Sequence, residues 1–272
     1  MRAAIYIGKD GLETDARLVR LTQELERGGC ALYRLHHDER PQEGTDMVLS
    51  VGGDGTFLSA AGFVVESGIP VAGVNLGRLG FLSENRPEDV AHALLAGEYT
   101  IEERSLLHFS PVTGSGTVDS WPYALNEVTV HRSGAAILGV DVCVDGAWLP
   151  TYWADGLIIS TSSGSTAYSL SAGGPIVLPA AKVLILTPIA PHNLNMRPLV
   201  VPDTAGISLR MQSRDESVIF TADNRTAKID AGARMDVSVA QFSLKRVRLN
   251  KSDFINALTE KLFWGEDVRN NK

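Results

Sequence analysis

Residues 51–56, which read Val-Gly-Gly-Asp-Gly-Thr, constrain the fold of this chain more than any other segment. The mostly apolar residues 47–50 before them are typical of a buried strand, and residues 56–61 after them are typical of the first turn of a helix. Glycines at a strand end let backbone N–H groups approach a phosphate, and the following helix N-terminus adds partial positive charge. Although Asp-Gly is also common in hairpin turns, the strand-then-helix flanks favour a phosphate loop. The residues of this predicted loop are Gly52, Gly53, Gly55 and Thr56.

The carboxylate of Asp54 stands among these phosphate-binding groups. Its negative charge would repel a bound anion, so phosphate affinity does not explain why an aspartate stands in this loop. A carboxylate in this position is better suited to position or deprotonate a hydroxyl, or to hold a divalent metal. We therefore predict a catalytic role for Asp54.

The composition is that of a globular protein with a real core. The 272 residues suit one large or two modest domains, and 44% of them are hydrophobic and 21% charged. The net charge of −7 argues against a general nucleic-acid binder but not against a nucleotide ligand. Cys30 and Cys143 form neither a CxxC pair nor a disulfide framework, which indicates a reducing compartment. The first apolar run, residues 3–7, is too short for a signal peptide or membrane span, so we expect a cytoplasmic protein without a membrane partner.

Residues 1–100 alternate strand-like and helix-like segments, which indicates a Rossmann-like parallel α/β sheet. Ligands on such sheets bind beyond the carboxyl ends of the strands, where the glycine loop lies. A helix is also predicted to begin at Pro87. The other predicted elements are strands at 3–7, 31–35, 47–51 and 70–74 and helices at 16–27 and 56–67.

Residues 101–250 are rich in short strand-like runs separated by turn signals, which predicts an all-β, sandwich-like domain. Asp145-Gly146 is a predicted hairpin turn. Residues 252–264 return to helical periodicity with Ser252 as a plausible N-cap, and we expect residues 251–272 to rejoin the first domain. The predicted strands are 123–131, 139–144, 156–161, 182–187, 207–211, 217–222 and 235–239.

Three further segments carry polar or small residues with two interpretations each. In residues 75–82, Phe81 either faces a purine or belongs to the core together with Leu82. Asn126-Glu127 lies in an apolar run, either as solvated side chains of an edge strand or as a pair that binds ribose hydroxyls. Residues 155–175 form either a ligand loop rich in hydroxyl groups or a flexible linker.

Several common motifs are absent from the sequence. There is no G-x-x-x-x-G-K-[ST], no G-x-G-x-x-G and no G-x-S-x-G, which excludes a P-loop enzyme, an ordinary dinucleotide fingerprint and a hydrolase elbow. His192 lies in a suggestive setting, but a lone histidine is more often structural. The remaining histidines show no metal-ligand spacing and receive no role.

Taken in order, these clusters resemble the NAD kinases, and the resemblance covers nearly the whole chain. Lipid kinases and phosphofructokinases look similar at the glycine loop alone, whereas the Asn-Glu pair and the Thr-Ala-Tyr loop separate NAD kinases from them. The matching segments are residues 52–56, 75–82, 126–127, 155–156, 160–161, 164–168, 191–192 and 197–198.

The resemblance implies transfer of the γ-phosphoryl of ATP, or in some members of polyphosphate, to the 2′-hydroxyl of the adenosine ribose of NAD. It also implies a divalent metal, usually Mg²⁺, with unknown ligands, and a homodimer or homotetramer whose site is completed across a subunit boundary. Asp54 matches the catalytic carboxylate. The other implied substrate-binding residues are Gly55, Phe81, Asn126, Glu127, Asp155, Ser163, Thr166, Ala167, Tyr168, Ser169, Leu170, Ser171, Ala190 and Asn224.

The sequence departs from the family pattern at two places. Members often read Asp-Gly-Gln where this chain has Asp223-Asn224-Arg225, which affects the expected contact at Asn224. Trp153 stands where an Arg is common, so any ion pair there must differ. Two other functions compete with an NAD kinase: a diacylglycerol-type lipid kinase, and a non-catalytic nucleotide-binding protein.

Overall fold

A computed structural model describes residues 1–37, 39–64, 66–77, 80–113, 121–251 and 253–263. The elements up to residue 113 are β1 (Arg2–Ile7), α1 (Ala16–Arg27), β2 (Ala31–Leu35), β3 (Met47–Val51), α2 (Asp54–Val64), β4 (Val71–Val74), α3 (Pro87–Ala96) and β5 (Tyr99–Thr113). The next are β6 (Tyr123–Ala124), β7 (Glu127–Arg132), β8 (Leu138–Val144), β9 (Ala147–Trp148), β10 (Tyr152–Ala154), β11 (Gly156–Thr161) and α4 (Tyr168–Ser171). The last are β12 (Val183–Ile189), β13 (Leu199–Pro202), β14 (Ile207–Gln212), β15 (Ser217–Ala222), β16 (Arg225–Asp230), β17 (Arg234–Leu249) and α5 (Phe254–Leu262).

The chain forms two compact units, residues 1–103 with 244–272 and residues 104–243. We predicted from the sequence that the chain rejoins the first unit at residue 251. In the structure the chain rejoins it at Leu244, because the end of β17 pairs in parallel with β4, where Arg246 lies opposite Val71.

The first unit is built on a parallel sheet in the order β17-β4-β3-β1-β2. One face is covered by α1 and α3, whose side chains share a core with Ile5, Leu49 and Val247. On the other face the ring of Phe63 in α2 contacts Tyr6, with ring centroids 5.0 Å apart. Helices therefore cover both faces, which makes the interior strands apolar throughout.

The second unit contains a six-stranded antiparallel sheet in the order β13-β12-β11-β7-β15-β16. Its apolar face shares a core with β8, β14 and the first part of β17, as in a sandwich. Because side chains alternate across a strand, residues 128 and 130 of β7 enter this core, whereas Glu127, Thr129 and His131 lie on the opposite face. The sheet thus separates a packed face from a polar face.

Most predicted elements are confirmed, five of them with the same bounds: α1, β2, β3, β11 and β15. The Asp145-Gly146 hairpin is confirmed by pairing of Val144 with Ala147. The helix predicted from residue 56 begins at Asp54, and Asp253 is the N-cap of α5, while Ser252 and Trp264 lie outside the described residues. The predicted strand 123–131 is two strands, and the predicted 235–239 is part of a strand of 16 residues.

Five strands were not predicted: β5, β9, β10, β13 and β16. β9, β10 and β13 are short, β16 is polar at most positions, and the first half of β5 contains the charged residues 102–104, so each gives a weak apolar signal. In the part of the chain that the structure describes, no helix is long and apolar enough to cross a bilayer.

Candidate functional site

The glycine loop joins β3 to α2, so the hairpin interpretation of its Asp-Gly pair is wrong. Gly52 has a φ of 151°, and a Cβ there would lie 2.3 Å from Oγ1 of Thr56. Gly53 and Gly55 are exposed, with open space where a Cβ would stand. The loop therefore presents bare backbone beside the N-terminus of an 11-residue helix, an arrangement that suits phosphate.

The carboxylate of Asp54 accepts hydrogen bonds from three successive backbone N–H groups. Phe81 N lies 2.8 Å from Oδ2, while Leu82 N and Ser83 N lie 3.0 and 2.8 Å from Oδ1. A Cβ at Gly80 would lie 1.8 Å from Oδ1 of Asp54, so only glycine fits there. A carboxylate offers about four lone-pair sites, and these bonds leave one of them, on Oδ2, for a further donor such as a substrate hydroxyl.

The loop at residues 80–83 is also held from other sides. The Ser83 hydroxyl donates to Gly52 O at 2.7 Å, and Asn75 Nδ2 donates to Ser83 O at 3.0 Å. Lys261 on α5 donates to Gly80 O and lies 4.4 Å from the Phe81 ring centroid. Burial lowers the pKa of Lys261, although the negative charges of Glu84 and Asp54 oppose this change. A residue 181 positions away in sequence therefore supports the loop that holds Asp54.

Phe81 and its neighbour Leu82 have different environments. Leu82 is buried, whereas Phe81 is half-buried and its ring lies 6.0 Å from that of Phe254. The core interpretation holds for Leu82. The purine-facing role of Phe81 stays a prediction.

Glu127 is the first residue of β7, an interior strand between β11 and β15, and Asn126 directly precedes it. They are only 7% and 8% exposed, so the edge-strand interpretation is wrong. Asn126 Oδ1 and Glu127 Oε2 have no hydrogen-bond partner among the described residues, and the same is true of Ser160 Oγ, whose residue pairs with Glu127 across the sheet. Buried polar atoms without partners are costly, and here they are suited to meet a ligand.

The pKa of Glu127 is raised to about 8. Burial is the largest cause, the negative charge of Asp223 adds to it, and a backbone N–H of Tyr168 opposes it. The free protein therefore holds much of Glu127 in its protonated form near neutral pH.

The hydroxyl-rich segment is ordered, so the flexible-linker interpretation is wrong. Residues Ser163–Thr166 form a 3-10 turn that is followed by α4. Thr161 Oγ1 donates to Leu125 O at 2.7 Å, and a Cβ at Gly164 would lie 2.1 Å from Asn126 O. The segment therefore packs directly on the backbone of the Asn-Glu pair.

Tyr168 connects the two ends of β7. Its backbone N–H acts on Glu127, and its ring stacks on His131 with centroids 5.6 Å apart and 15° between the planes. Burial lowers the pKa of His131, against the opposing negative charge of Asp155, which favours the neutral form of the ring stacked beneath Tyr168. His131 was given no role from the sequence, and no local motif could have indicated one.

Asp155 has an ion-pair partner that the sequence did not indicate. Arg132 Nε donates to Asp155 Oδ1 at 2.7 Å. Asp155 N donates to Ile189 O, next to Ala190, which has a φ of 45°. Asp155 and Ala190 thus lie together at one end of β11, while Asn126 and Glu127 lie at its other end.

The remaining predicted residues belong to these clusters. Ser163 and Ser169 are buried, and Ser169 Oγ lies 2.9 Å from Oγ1 of Thr187 on the polar face. Asn224 is exposed in the β15–β16 hairpin. The residues in the 3-10 turn and α4 are Ser163, Thr166, Tyr168, Ser169, Leu170 and Ser171, and Ala167 joins the two.

Among the described residues, no three His, Cys, Asp or Glu side chains converge as metal ligands. The single acidic group of the glycine loop already has three of its lone-pair sites filled. A Mg²⁺ ion beside this loop would therefore take at most one ligand from Asp54, and it would need most of its other ligands from a bound nucleotide or water.

The family models described as ATP-NAD kinase N-terminal domain and ATP-NAD kinase C-terminal domain match residues 13–99 and 125–249. The chain is 44% identical to an NAD kinase of Porphyromonas gingivalis, over 98% of this chain and 99% of the relative. It is 42% identical to an NAD kinase of Flavobacterium psychrophilum, over 83% of this chain and 78% of the relative.

Two solved structures share the fold. An NAD kinase from Archaeoglobus fulgidus in complex with ATP has a TM-score of 0.77 and 28% identity, covering 96% of this chain and 98% of that one. A yeast NADH kinase complexed with NADH has a TM-score of 0.82 and covers 99% of this chain and 90% of that one, but at 24% identity it shows the fold alone. These matches do not favour the lipid-kinase alternative. The chain is a member of the ATP-NAD kinase family, a kinase that acts on NAD.

Proposed function

We propose that this chain transfers the γ-phosphoryl of ATP to the 2′-hydroxyl of the adenosine ribose of NAD. The bond between the γ-phosphorus and its bridging oxygen breaks, a bond to the ribose oxygen forms, and ADP, NADP and the proton of the hydroxyl are released. The observation that carries the proposal is the carboxylate of Asp54, whose three N–H bonds fix it and leave Oδ2 one open site.

In this proposal Asp54 accepts a hydrogen bond from the 2′-hydroxyl and so orients its oxygen. The amides around Gly53 and Gly55 receive the phosphates of ATP, because phosphoryl transfer needs mainly alignment and charge stabilisation. The metal is Mg²⁺, which when bound neutralises charge on the triphosphate. Gly52 and Thr56 shape the loop by their close packing.

The remaining predicted residues bind NAD. Asn126 and Glu127 meet ribose hydroxyls with their unpartnered oxygens, and Tyr168 offers a ring whose orientation is fixed by His131. Phe81 faces a purine. The other NAD contacts are Asp155, Ser163, Thr166, Ala167, Ser169, Leu170, Ser171, Ala190 and Asn224.

Two broader expectations belong to the same proposal. We expect a homodimer or homotetramer, and we expect the protein in the cytoplasm. Light scattering of the purified protein tests the first, and fractionation of cells tests the second.

A direct assay tests the function. Purified protein is incubated with NAD, Mg²⁺ and ATP, then with polyphosphate in place of ATP, and NADP is measured with an NADP-specific dehydrogenase. NADP formation is the expected result with ATP. Binding of NAD without any product would support the nucleotide-binding alternative, and phosphorylation of a lipid but not NAD would support the lipid-kinase alternative.

The variant Asp54→Asn tests the role proposed for the Asp54 carboxylate. We expect turnover to fall by about 100-fold or more, with NAD binding largely kept, because the amide is neutral and has one carbonyl oxygen in place of two carboxylate oxygens. Asp15→Asn is the matched control, since Asp15 also accepts a backbone N–H at a helix start but lies at α1. Near-wild-type turnover of Asp54→Asn would remove Asp54 from the mechanism.

A further inference from the structure

Asp223, at the turn between β15 and β16, holds the backbone of the segment that contains Asn126 and Glu127. Leu125 N and Asn126 N each lie 2.8 Å from the Asp223 carboxylate, and Glu127 N lies 3.3 Å from it. In return, Asp223 N donates to Glu127 O at 3.0 Å. Four hydrogen bonds therefore join one aspartate to three successive residues.

The segment needs this support because it links strands of two different sheets. β6 pairs with β5 and ends at Ala124, whereas β7 begins at Glu127 in the six-stranded sheet, so Leu125 and Asn126 belong to neither strand. Buried N–H groups must find acceptors elsewhere, and Asp223 supplies them. Arg225, on the same hairpin, donates to the carbonyl oxygens of Trp121 and Tyr123, which extends the support.

The side chain of Glu127 receives a backbone N–H of Tyr168, but each side chain of the Asn-Glu pair also has an oxygen without such support in the described part of the chain. Asn126 Oδ1 and Glu127 Oε2 are buried and have no partner among the described residues. The orientation of these two side chains therefore depends on the backbone that carries them, and that backbone depends on Asp223.

We propose that Asp223 is a positioning residue for substrate, which acts through the backbone of residues 125–127 to aim Asn126 and Glu127 at the hydroxyl groups of NAD. This inference rests on the proposed function. It assigns Asp223 no contact with substrate, and it gives the Asp223-Asn224-Arg225 hairpin a role that does not need the family's usual Asp-Gly-Gln.

The negative charge of Asp223 should also affect how NAD binding depends on pH. The groups that act on Glu127 are Asp223 from the hairpin and Tyr168 from α4, and the neutral Ser160 of β11 lies opposite it, while the charge of Arg225 acts on Asp223. Asp223 is the negative one, and it helps to raise the pKa of Glu127 to about 8. An ionised carboxylate accepts hydroxyl hydrogen bonds more strongly than a protonated one, so NAD binding should tighten as pH rises through this region. Removing the charge at position 223 should move that rise to lower pH.

The experiment compares Asp223→Asn and Asp223→Ala with the wild type. Asp145→Asn is the matched control: Asp145 also begins a two-residue hairpin, has a φ of 48° against 51° for Asp223, and accepts a backbone N–H from Gly206 at 2.8 Å. For each protein we measure kcat, KM for NAD and for ATP, the melting temperature, and the NAD dissociation constant from pH 6 to pH 9.5.

We expect the Asp223 variants to raise KM for NAD by roughly tenfold, to leave KM for ATP within about twofold, and to move the pH dependence of NAD binding to lower pH. Asp145→Asn should leave all three unchanged. Wild-type NAD affinity and pH dependence in Asp223→Asn would overturn the proposal. So would equal losses for NAD and ATP, or failure of both variants to fold, because each indicates a general structural role. Absence of NADP from the wild type would instead contradict the proposed function.

Discussion

Each unit of this molecule contains an aspartate whose carboxylate accepts N–H groups from three successive residues. Asp54 holds residues 81–83 in the first unit, and Asp223 holds residues 125–127 in the second. The local environments differ. Asp54 begins a helix beside two exposed glycines, whereas Asp223 lies in a hairpin where burial raises its pKa against the opposing effect of its N–H bonds.

In the proposed function, the same hydrogen-bond pattern has two different roles. Around Asp54 the amides fix the carboxylate, which we propose is itself the group offered to substrate. Around Asp223 the carboxylate fixes the amides, and the groups that we propose are offered to substrate are the side chains of the residues that carry those amides. We therefore expect damage in the first unit to lower turnover, and damage in the second to weaken NAD binding.

The largest effect is expected from a methyl group beside Asp54. Gly80→Ala would place a Cβ 1.8 Å from Asp54 Oδ1, so the loop at residues 80–83 must move away. We expect kcat to fall by about 100-fold, since a displacement near 1 Å can have that effect. Gly77→Ala is the control in the same segment, because its nearest neighbour would be at 3.7 Å.

The corresponding change in the second unit is Gly164→Ala, whose Cβ would lie 2.1 Å from Asn126 O. Here KM for NAD should rise while kcat at saturating NAD changes less. Gly232→Ala, with nothing within 4 Å, is the control. If both glycine variants change the same kinetic parameter, the distinction between the two units is wrong.

The next effect concerns stability, through Glu127→Gln. The pKa of Glu127 is about 8 in the folded protein against an ordinary 4.5, so between these values the unfolded chain releases a proton that the folded protein keeps. The free energy of unfolding therefore falls as pH rises from about 4.5 to 8, and glutamine removes this loss. The variant should be more stable above pH 8, by an amount on the order of a few kcal/mol, and close to wild type near pH 5.

Melting temperatures at pH 5 and pH 8.5 measure this effect. Glu216→Gln, at an exposed position in the same unit, is the control. Glu127→Gln should also bind NAD more weakly than the wild type, since functional groups are often kept at a cost in stability. Equal wild-type and Glu127→Gln melting temperatures at pH 8.5 would show that the buried carboxyl ionises without penalty.

The sequence predicts the first of the two aspartates but not the second. Asp54 stands in a motif between a strand and a helix, so its neighbours in sequence reveal its position at a sheet edge. Asp223 is 96 to 98 residues from the amides that it holds, and its neighbours indicate only a turn. Contacts of that kind are set by strand pairing, which composition and periodicity do not specify.

The same limit explains the missed strands and contacts. Apolar, regularly spaced segments such as α1 and β11 were predicted with their observed bounds. By contrast β16 alternates exposed and partly buried residues along most of its length, and so lacks an apolar signal. Nor does any local pattern connect Arg132 to Asp155 or Lys261 to Gly80. The predicted site residues thus come from motifs, whereas the residues that support their backbone could be found only from coordinates.

The smallest effect tests how far support for Asp54 extends. Lys261 donates to Gly80 O and lies 4.4 Å from the Phe81 ring centroid, so Lys261→Met removes one hydrogen bond and one cation–π contact. We expect kcat to fall by roughly two- to fivefold, the effect of about 0.5–1 kcal/mol, with KM for NAD unchanged. Lys261→Arg should keep most of the activity, and Lys251→Met, at an exposed position on the same unit, is the control.

The pH profile separates the charge of Lys261 from its bulk. Burial lowers the pKa of Lys261 from its ordinary 10.5, so the wild type should lose the same two- to fivefold factor as pH rises through a range below that value. Lys261→Met has no proton to lose there and should show a flatter alkaline limb. If its profile is parallel to that of the wild type, the ammonium group does not hold the Asp54 loop, and the support of that carboxylate ends at Gly80 and Ser83.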